Sequence, residues 1–211
     1  MIWLIYSDVH GNLPAFEAIL KDCGEYDASA CLGDLVNYGP WSNECVDLAI
    51  SLKNPALIMG NHEEAFIEGK YPGENKLVQQ FFNQTIREFD RVREIKTFSE
   101  KQQLDRFTLQ HTFNNQYIYP DTTVELDGNY LIGHSHHQFH SQNNGFDLYN
   151  AGSVGQNRKV INVADYMLYD SQTQKITLKS VRYDLDLLIS EMKLKNYPEE
   201  CLAYYLNKQK A

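Results

Sequence analysis

The first sixty residues alternate short apolar runs with helical patterning. Ile2–Tyr6 is apolar throughout, as expected of a strand buried on both faces. Leu13, Phe16, Ile19 and Leu20 then recur at helical spacing. Ser29–Leu32 reads as a second strand. Val46, Leu48, Ala49 and Leu52 read as a second helix, with Ser42 or Asn43 near its N-cap, and Ala56–Met59 as a third strand. Strand–helix–strand–helix–strand predicts right-handed crossovers and a parallel sheet.

The next stretch, about 63–106, is polar, charged and helix-favouring. Phe81, Phe82, Ile86, Phe89 and Val92 fall mostly at i, i+3 or i+4 steps, which predicts two or three helices lying on the sheet, with this aromatic stripe packed as core. Tyr71-Pro72-Gly73 breaks the segment, and the SEKQ at Ser99 resembles a capping box that would start another helix. From Phe107 onward short strand patterns return at Tyr130–Ile132, Phe146–Tyr149, Tyr166–Tyr169 and Ile176–Tyr183. Asp127-Gly128 and Asn144-Gly145 between them suggest antiparallel hairpins. Leu185–Leu194 and Glu199–Leu206 are helical in pattern. With no internal repeat, low-complexity tract or linker, residues 1–211 read as one domain built from two sheets.

Composition narrows the function classes. The chain is 43% hydrophobic and 22% charged, as in an ordinary globular protein, which argues against disorder. A net charge of −9 argues against nonspecific nucleic-acid binding. A phosphate-bearing substrate remains compatible, because bound divalent ions reverse the local field. No run of about 20 apolar residues is available to span a membrane, and the apolar start MIWLIYSD is too short and lacks the basic residues of a signal peptide, so a cytoplasmic protein is expected. Cys23, Cys31, Cys45 and Cys201 form no CxxC pair and read as buried thiols in a reducing compartment.

The chemistry is concentrated in four short motifs: SDVHGN (Ser7–Asn12), LGDLVNYG (Leu32–Gly39), MGNHE (Met59–Glu63) and IGHSHH (Ile132–His137), with a lone His111 between the last two. Each falls after a strand pattern, and the carboxyl ends of strands are where open α/β sheets place their sites. Asp8 and His10, two apart at a strand end, are expected to leave one face together; His134 and His136 repeat that spacing. Asp34 and Asn61 each follow a glycine that permits a sharp turn or a close backbone approach. Imidazole nitrogens and carboxylate oxygens suit manganese, iron, nickel or zinc. Seven candidate ligands (Asp8, His10, Asp34, Asn61, His111, His134 and His136) exceed one zinc-like site and suit two metals sharing a carboxylate. A bridging hydroxide would then be the nucleophile. His62, beside a ligand without needing to be one, is the natural general acid.

With these motifs in this order, the chain closely resembles the calcineurin-like metallophosphoesterases, and among them the small bacterial and archaeal phosphodiesterases. The family pattern DxH, GD, GNH[DE], a lone His and GHxH is complete here, and NAGSVGQNR at Asn150–Arg158 also resembles that subgroup. The resemblance implies an α/β fold of two facing mixed β-sheets flanked by helices, an αββα sandwich with the metals at one rim. It implies two divalent or trivalent ions, manganese favoured: Asp8, His10, Asp34 and His136 around the first, and Asp34, Asn61, His111 and His134 around the second, with Asp34 bridging and His62 as the acid. The substrate would be a small phosphate ester.

Three departures from the family pattern stand out, one of them a short segment between His111 and Gly133. The lone histidine is followed by Thr112 where many members have glycine. The protein phosphatases of the superfamily carry GDxVDRG, in which the Asp orients the catalytic His and the Arg grips phosphate; this chain has Asn37 and Tyr38 there. Loss of that Arg weakens the grip on dianionic monoesters more than on diesters, so a phosphodiesterase is expected. The alternatives are a broad phosphomonoesterase or dinucleoside polyphosphate hydrolase, and a noncatalytic scaffold. Arg158 reads first as a solvated loop charge, Glu63 as a helix N-terminal carboxylate, and His137 and His140 as ordinary strand or surface residues. Asn37, Tyr38 and Trp41 stand where a cleft would form, with packing equally open for Trp41. The acidic surface and strand edges permit a homo-oligomer and do not require one.

Overall fold

The computed structural model describes residues 1–211. In chain order the elements are β1 (Ile2–Tyr6), α1 (Leu13–Asp22), β2 (Ala28–Cys31), α2 (Ser42–Ser51), β3 (Pro55–Leu57), α3 (Asn61–Glu68), α4 (Lys76–Thr85), α5 (Val92–Ile95), β4 (Lys101–Leu104), β5 (Phe107–Gln110), β6 (Asn129–Ile132), β7 (Gln138–Asn143), β8 (Phe146–Ala151), β9 (Val163–Asp170), β10 (Lys175–Arg182), α6 (Leu185–Leu194) and α7 (Glu199–Leu206). They form two mixed five-stranded sheets flanked by helices. One sheet has the order β10-β9-β1-β2-β3 and the other β4-β5-β6-β8-β7.

The parallel part of the first sheet is the one expected from the strand–helix alternation: β1 pairs with β2 and β2 with β3, both parallel. The long hairpin of β9 and β10 then adds to the other side of β1 antiparallel. The all-apolar run of β1 follows from its central place. Ile5 faces the second sheet with Leu32, Phe107, Leu131, Met167 and Tyr169, while Leu4 and Tyr6 face the helices with Phe16, Ile19, Tyr166 and Leu188. The outer face of the second sheet is covered by segment 112–128, whose Phe113, Ile118 and Leu126 pack on Ile132, Phe139 and Leu148.

Several local expectations are corrected. Helices end at Ile95 in the expected helical stretch, and the SEKQ signal at Ser99 starts no helix. Lys101–Leu104 instead pairs with Phe107–Gln110, and Ser99 is tied to the first sheet: its N–H donates to the Leu57 carbonyl and its own carbonyl accepts from Met59 N–H, at 2.9 and 2.8 Å. Two sheets claim the backbone on either side of the capping box, and pairing outweighs a local cap. Asp127-Gly128 is not a hairpin turn, because it leads into β6, which lies parallel to both neighbours. Asn144-Gly145 is one: both residues have positive φ, at 53° and 80°, between the antiparallel β7 and β8. Helix α2 starts at Ser42 with Trp41 at its N-cap, and the Ser42 hydroxyl accepts from the backbone N–H of Asn37. Trp41 packs against the helical core.

All four cysteines are buried and unpaired. No helix is long and apolar enough to cross a membrane. The carboxyl ends of β1, β2, β3, β5 and β6 deliver their loops to one rim; four of these loops carry the motifs, and the loop after β5 carries His111.

Candidate metal centre

The rim is built from strained backbone. Asp8, His10, Asp34, His134 and His136 all have φ between 51° and 70°, in the left-handed region. Side chains there cost about 1–2 kcal/mol each, and Asp, Asn and His tolerate the region better than most residues. Asp8 and His10 reach one group together, as expected, but by turn geometry and not by strand alternation, while the expectation for His134/His136 is corrected. These pairs reach the site from tight turns past the strand ends, and His134 and His136 point to different parts of the cluster. Glycine is needed where the loops touch: a Cβ on Gly60 would lie 2.2 Å from Asp34 Oδ1, and one on Gly133 1.9 Å from Ser7 Oγ.

The side chains gather in two groups that meet at Asp34. In one, His136 Nε2 lies 2.9 Å from Asp8 Oδ1 and 3.1 Å from His10 Nε2. In the other, His111 Nε2 lies 3.2 Å from Asp34 Oδ2, 3.1 Å from Asn61 Oδ1 and 3.1 Å from His134 Nδ1. Asp34 Oδ2 also stands 3.9 Å from His10 Nε2 and 3.9 Å from His62 Nε2. The structure thus brings all seven sequence-predicted ligands and His62 into one buried cluster, His111 included.

Tautomers follow from the backbone. The Nδ1 atoms of His10, His111 and His136 face the carbonyls of Val36, Leu32 and Gln156 at 3.1, 2.7 and 3.0 Å. A carbonyl only accepts, so each Nδ1 carries a hydrogen, and wherever the ring is neutral its Nε2 turns a lone pair inward. His10 and His136 therefore aim lone pairs at each other and at the Asp8 carboxylate, whose Oδ1 has no donor. Burial keeps His136 neutral, pulling it down to about 4 against the pull of Asp8. Converging buried acceptors without a proton between them fit a cation, and nitrogen and carboxylate donors with outward N–H groups on carbonyls are the arrangement of a divalent metal site. In the second group a proton can substitute. Burial opposes it, but Asp34 raises His111 to about 10.

Glu63 and Asn37 hold the site from behind. The Glu63 carboxylate accepts from Asp34 N–H at 2.8 Å, Leu35 N–H at 2.7 Å, Val36 N–H at 3.3 Å and Gly60 N–H at 2.9 Å. It caps α3, as expected, and also clamps the loop that holds Asp34. Asn37 Oδ1 accepts from Tyr38 N–H at 2.7 Å, which fixes the amide orientation and points its NH₂ at His62 Nδ1, 2.8 Å away. His62 Nδ1 must accept, so its hydrogen sits on Nε2, toward the cluster.

Above the cluster lies a cleft of about 230 Å³ lined by Asp34, His62, Tyr38, Tyr71, Tyr117 and Arg158 among others. Arg158 is an exposed loop charge, as read, and it also lines this cleft. Its guanidinium enters the cleft wall and donates to the Tyr204 hydroxyl at 2.9 Å. That hydroxyl in turn donates to Gln156, the residue whose carbonyl orients His136. His140 pairs with Asp147 and stacks on Tyr149 on the second sheet, away from the cluster, as an ordinary strand residue. No local signal marks Tyr71, Tyr117 or Tyr204, which reach the site across long sequence separations.

Fold and site together define a metallophosphoesterase-type sandwich, with a buried Asp/His cluster able to hold metal at the rim between two sheets. The sequence model of the calcineurin-like phosphoesterase family matches residues 3–189, and the chain belongs to that family. An uncharacterized protein of Methanocaldococcus jannaschii is 28% identical, with 92% of this chain and 93% of the relative aligned. The fold is shared with a metallophosphoesterase from Sphaerobacter thermophilus (TM-score 0.81, 24% identity, 98% of each chain). It is also shared with a hypothetical protein from Pyrococcus horikoshii (TM-score 0.79, 17% identity, 100% of this chain and 99% of that one).

Two outcomes are expected. Glu63→Gln places an NH₂ against backbone N–H groups and should weaken metal binding about 10- to 100-fold, read by chelator competition. At pH 7 the metal-free centre keeps its proton on His111, raised to about 10. Manganese should therefore displace about one proton, and its apparent affinity should rise with pH until near that value. Calorimetric titration in buffers of different ionisation enthalpy measures the release.

Proposed function

We propose that this protein hydrolyses phosphate esters with two divalent metal ions, manganese favoured, and prefers diesters. The observation that carries the reading is the position of Asp34, whose Oδ2 stands 3.2 Å from His111 Nε2 and 3.9 Å from His10 Nε2, between two acceptor groups. Asp8, His10, Asp34 and His136 would hold one ion; Asp34, Asn61, His111 and His134 would hold the other. Such ions supply Lewis acidity toward phosphoryl oxygens and lower the pKa of water.

The protein's own groups do the rest. His62 is held by Asn37 with its hydrogen on Nε2, facing the cluster, where it donates a hydrogen bond to the leaving oxygen as charge develops there. Burial pulls His62 down to about 3 against Asp34 in the metal-free cluster, so it meets the ester as a neutral hydrogen-bond donor, and the proton that the leaving oxygen finally takes comes from water. Arg158, the one Lys or Arg side chain lining the cleft, is fixed by Tyr204 and meets a non-bridging oxygen. Asn37 and Tyr38 occupy the positions where protein phosphatases have an acid and a phosphate-gripping Arg. A single guanidinium matches the single charge of a diester better than the two charges of a monoester.

Metal-stripped protein refilled with manganese is expected to turn over bis(p-nitrophenyl) phosphate faster than p-nitrophenyl phosphate. Dominant monoester turnover would favour a phosphomonoesterase, and no turnover with any metal a scaffold. His62→Ala should lower kcat on the diester by about 10²- to 10⁴-fold while bound metal, measured by elemental analysis, stays unchanged. Full turnover in that variant would remove His62 from the mechanism.

A further inference from the structure

Beside the metal cluster, the segment covering the second sheet presents two tyrosines that the phosphate chemistry does not use. Tyr117 is 56% exposed and Tyr119 40% exposed, an unusual state for large aromatic rings at the lip of a buried site. Their rings are parallel within 12°, with centroids 6.3 Å apart. Tyr117 lies over the His134 imidazole at 3.9 Å, so one edge of the pair begins directly above the cluster. It also lines the same cleft as Arg158 and Tyr71.

The pair is held in place. Ile118, between the two tyrosines, is 1% exposed and packs in the core beneath the segment, so its neighbours must face outward. Tyr119 N–H donates to the Thr122 hydroxyl at 2.9 Å and its carbonyl accepts from Thr122 N–H at 3.0 Å, closing a tight turn after the pair. The Tyr119 ring meets His137 edge-on at 5.4 Å. Covering His134 would need only Tyr117; a second, parallel, open ring on an anchored turn serves something further.

We infer that Tyr117 and Tyr119 form a stacking platform for a planar aromatic ring carried by the substrate, a nucleobase or aryl group esterified to the phosphate. The inference rests on the phosphoesterase reading above. With the phosphoryl group over the cluster and near Arg158, the ester substituent leaves the cleft beside Tyr117. A flat π-face there meets any base or aryl ring in offset stacking. Pre-organised rings lose little freedom on binding, so the contact adds affinity without hydrogen-bond readout. The platform therefore selects for aromatic substituents over alkyl ones and leaves the choice among bases open.

Calorimetric titration of the manganese-loaded protein with adenosine 5′-monophosphate and ribose 5-phosphate tests this, since both carry a 5-phosphate on ribose and only the nucleotide carries a base. The nucleotide is expected to bind roughly 5- to 100-fold tighter. Tyr119→Ala, which touches no cluster residue, and Tyr117→Leu should each bring the ratio toward one, and Tyr117→Phe should keep it. Phenyl phosphate set against methyl phosphate shows whether any aryl ring suffices or a base is required. A ratio near one in the unaltered protein, or one that survives both ring-removing variants, overturns the platform. Turnover of bis(p-nitrophenyl) phosphate on the same sample separates the two readings. Turnover without a base preference removes the platform alone. A base preference without turnover leaves the platform and removes the esterase, and neither binding nor turnover removes both.

Discussion

Buried acceptor atoms that face one another repel, and the rest of this structure is arranged around one such meeting. The lone pairs of His10 and His136 and the Asp8 carboxylate converge with no donor between them. They cannot turn away, because the opposite nitrogen of each ring is tied to a backbone carbonyl. In water the repulsion would be screened; here the groups are fully or nearly buried. A cation at the centre converts the repulsion into attraction and gives the strained rim a favourable state.

That convergence accounts for features that look unrelated in isolation. Left-handed backbone at Asp8, His10, Asp34, His134 and His136 brings short loops from different strands to one point. Such strain persists only where surrounding contacts over-determine it. Glu63 supplies much of that determination on the Asp34 side by collecting four N–H groups in one carboxylate. The sheet–sheet core from Ile5 through Leu131 to Met167 fixes the spacing between the loops of the two sheets, so packing far below the rim sets the distances within it.

The strands and helices around the site were largely legible because their signals are local. An unbroken apolar run marks β1, and apolar residues at helical spacing mark α1, α6 and α7. Failures occurred where two local tendencies competed with pairing partners distant in sequence. Ser99 carries a good helix start, yet Leu57 and Met59 take its backbone into the first sheet. Asp127-Gly128 carries a good hairpin turn, yet β6 enters between two parallel neighbours. At the site, Asp8, His10, Asp34, Asn61, His62, His134 and His136 were readable from residue type and adjacent glycine. His111, alone in its segment, lacks that adjacent glycine, and the family pattern supplies its place.

By itself the sequence determined the donor set: carboxylates, an amide and imidazoles placed after strands, with no thiol among them, restrict the chemistry to metals that accept nitrogen and oxygen. It also determined the parallel start of the fold, because apolar period is a property of neighbouring residues. Only the tertiary structure decided which nitrogen of each histidine faces inward, that Asn37 keeps the His62 hydrogen on Nε2, and that Arg158, held by Tyr204, and Tyr117 belong to the cleft. These are contacts between residues 17 to 79 positions apart. Hydrogen-bond direction and ring stacking depend on where two chains of atoms meet in space, and no local pattern records that meeting.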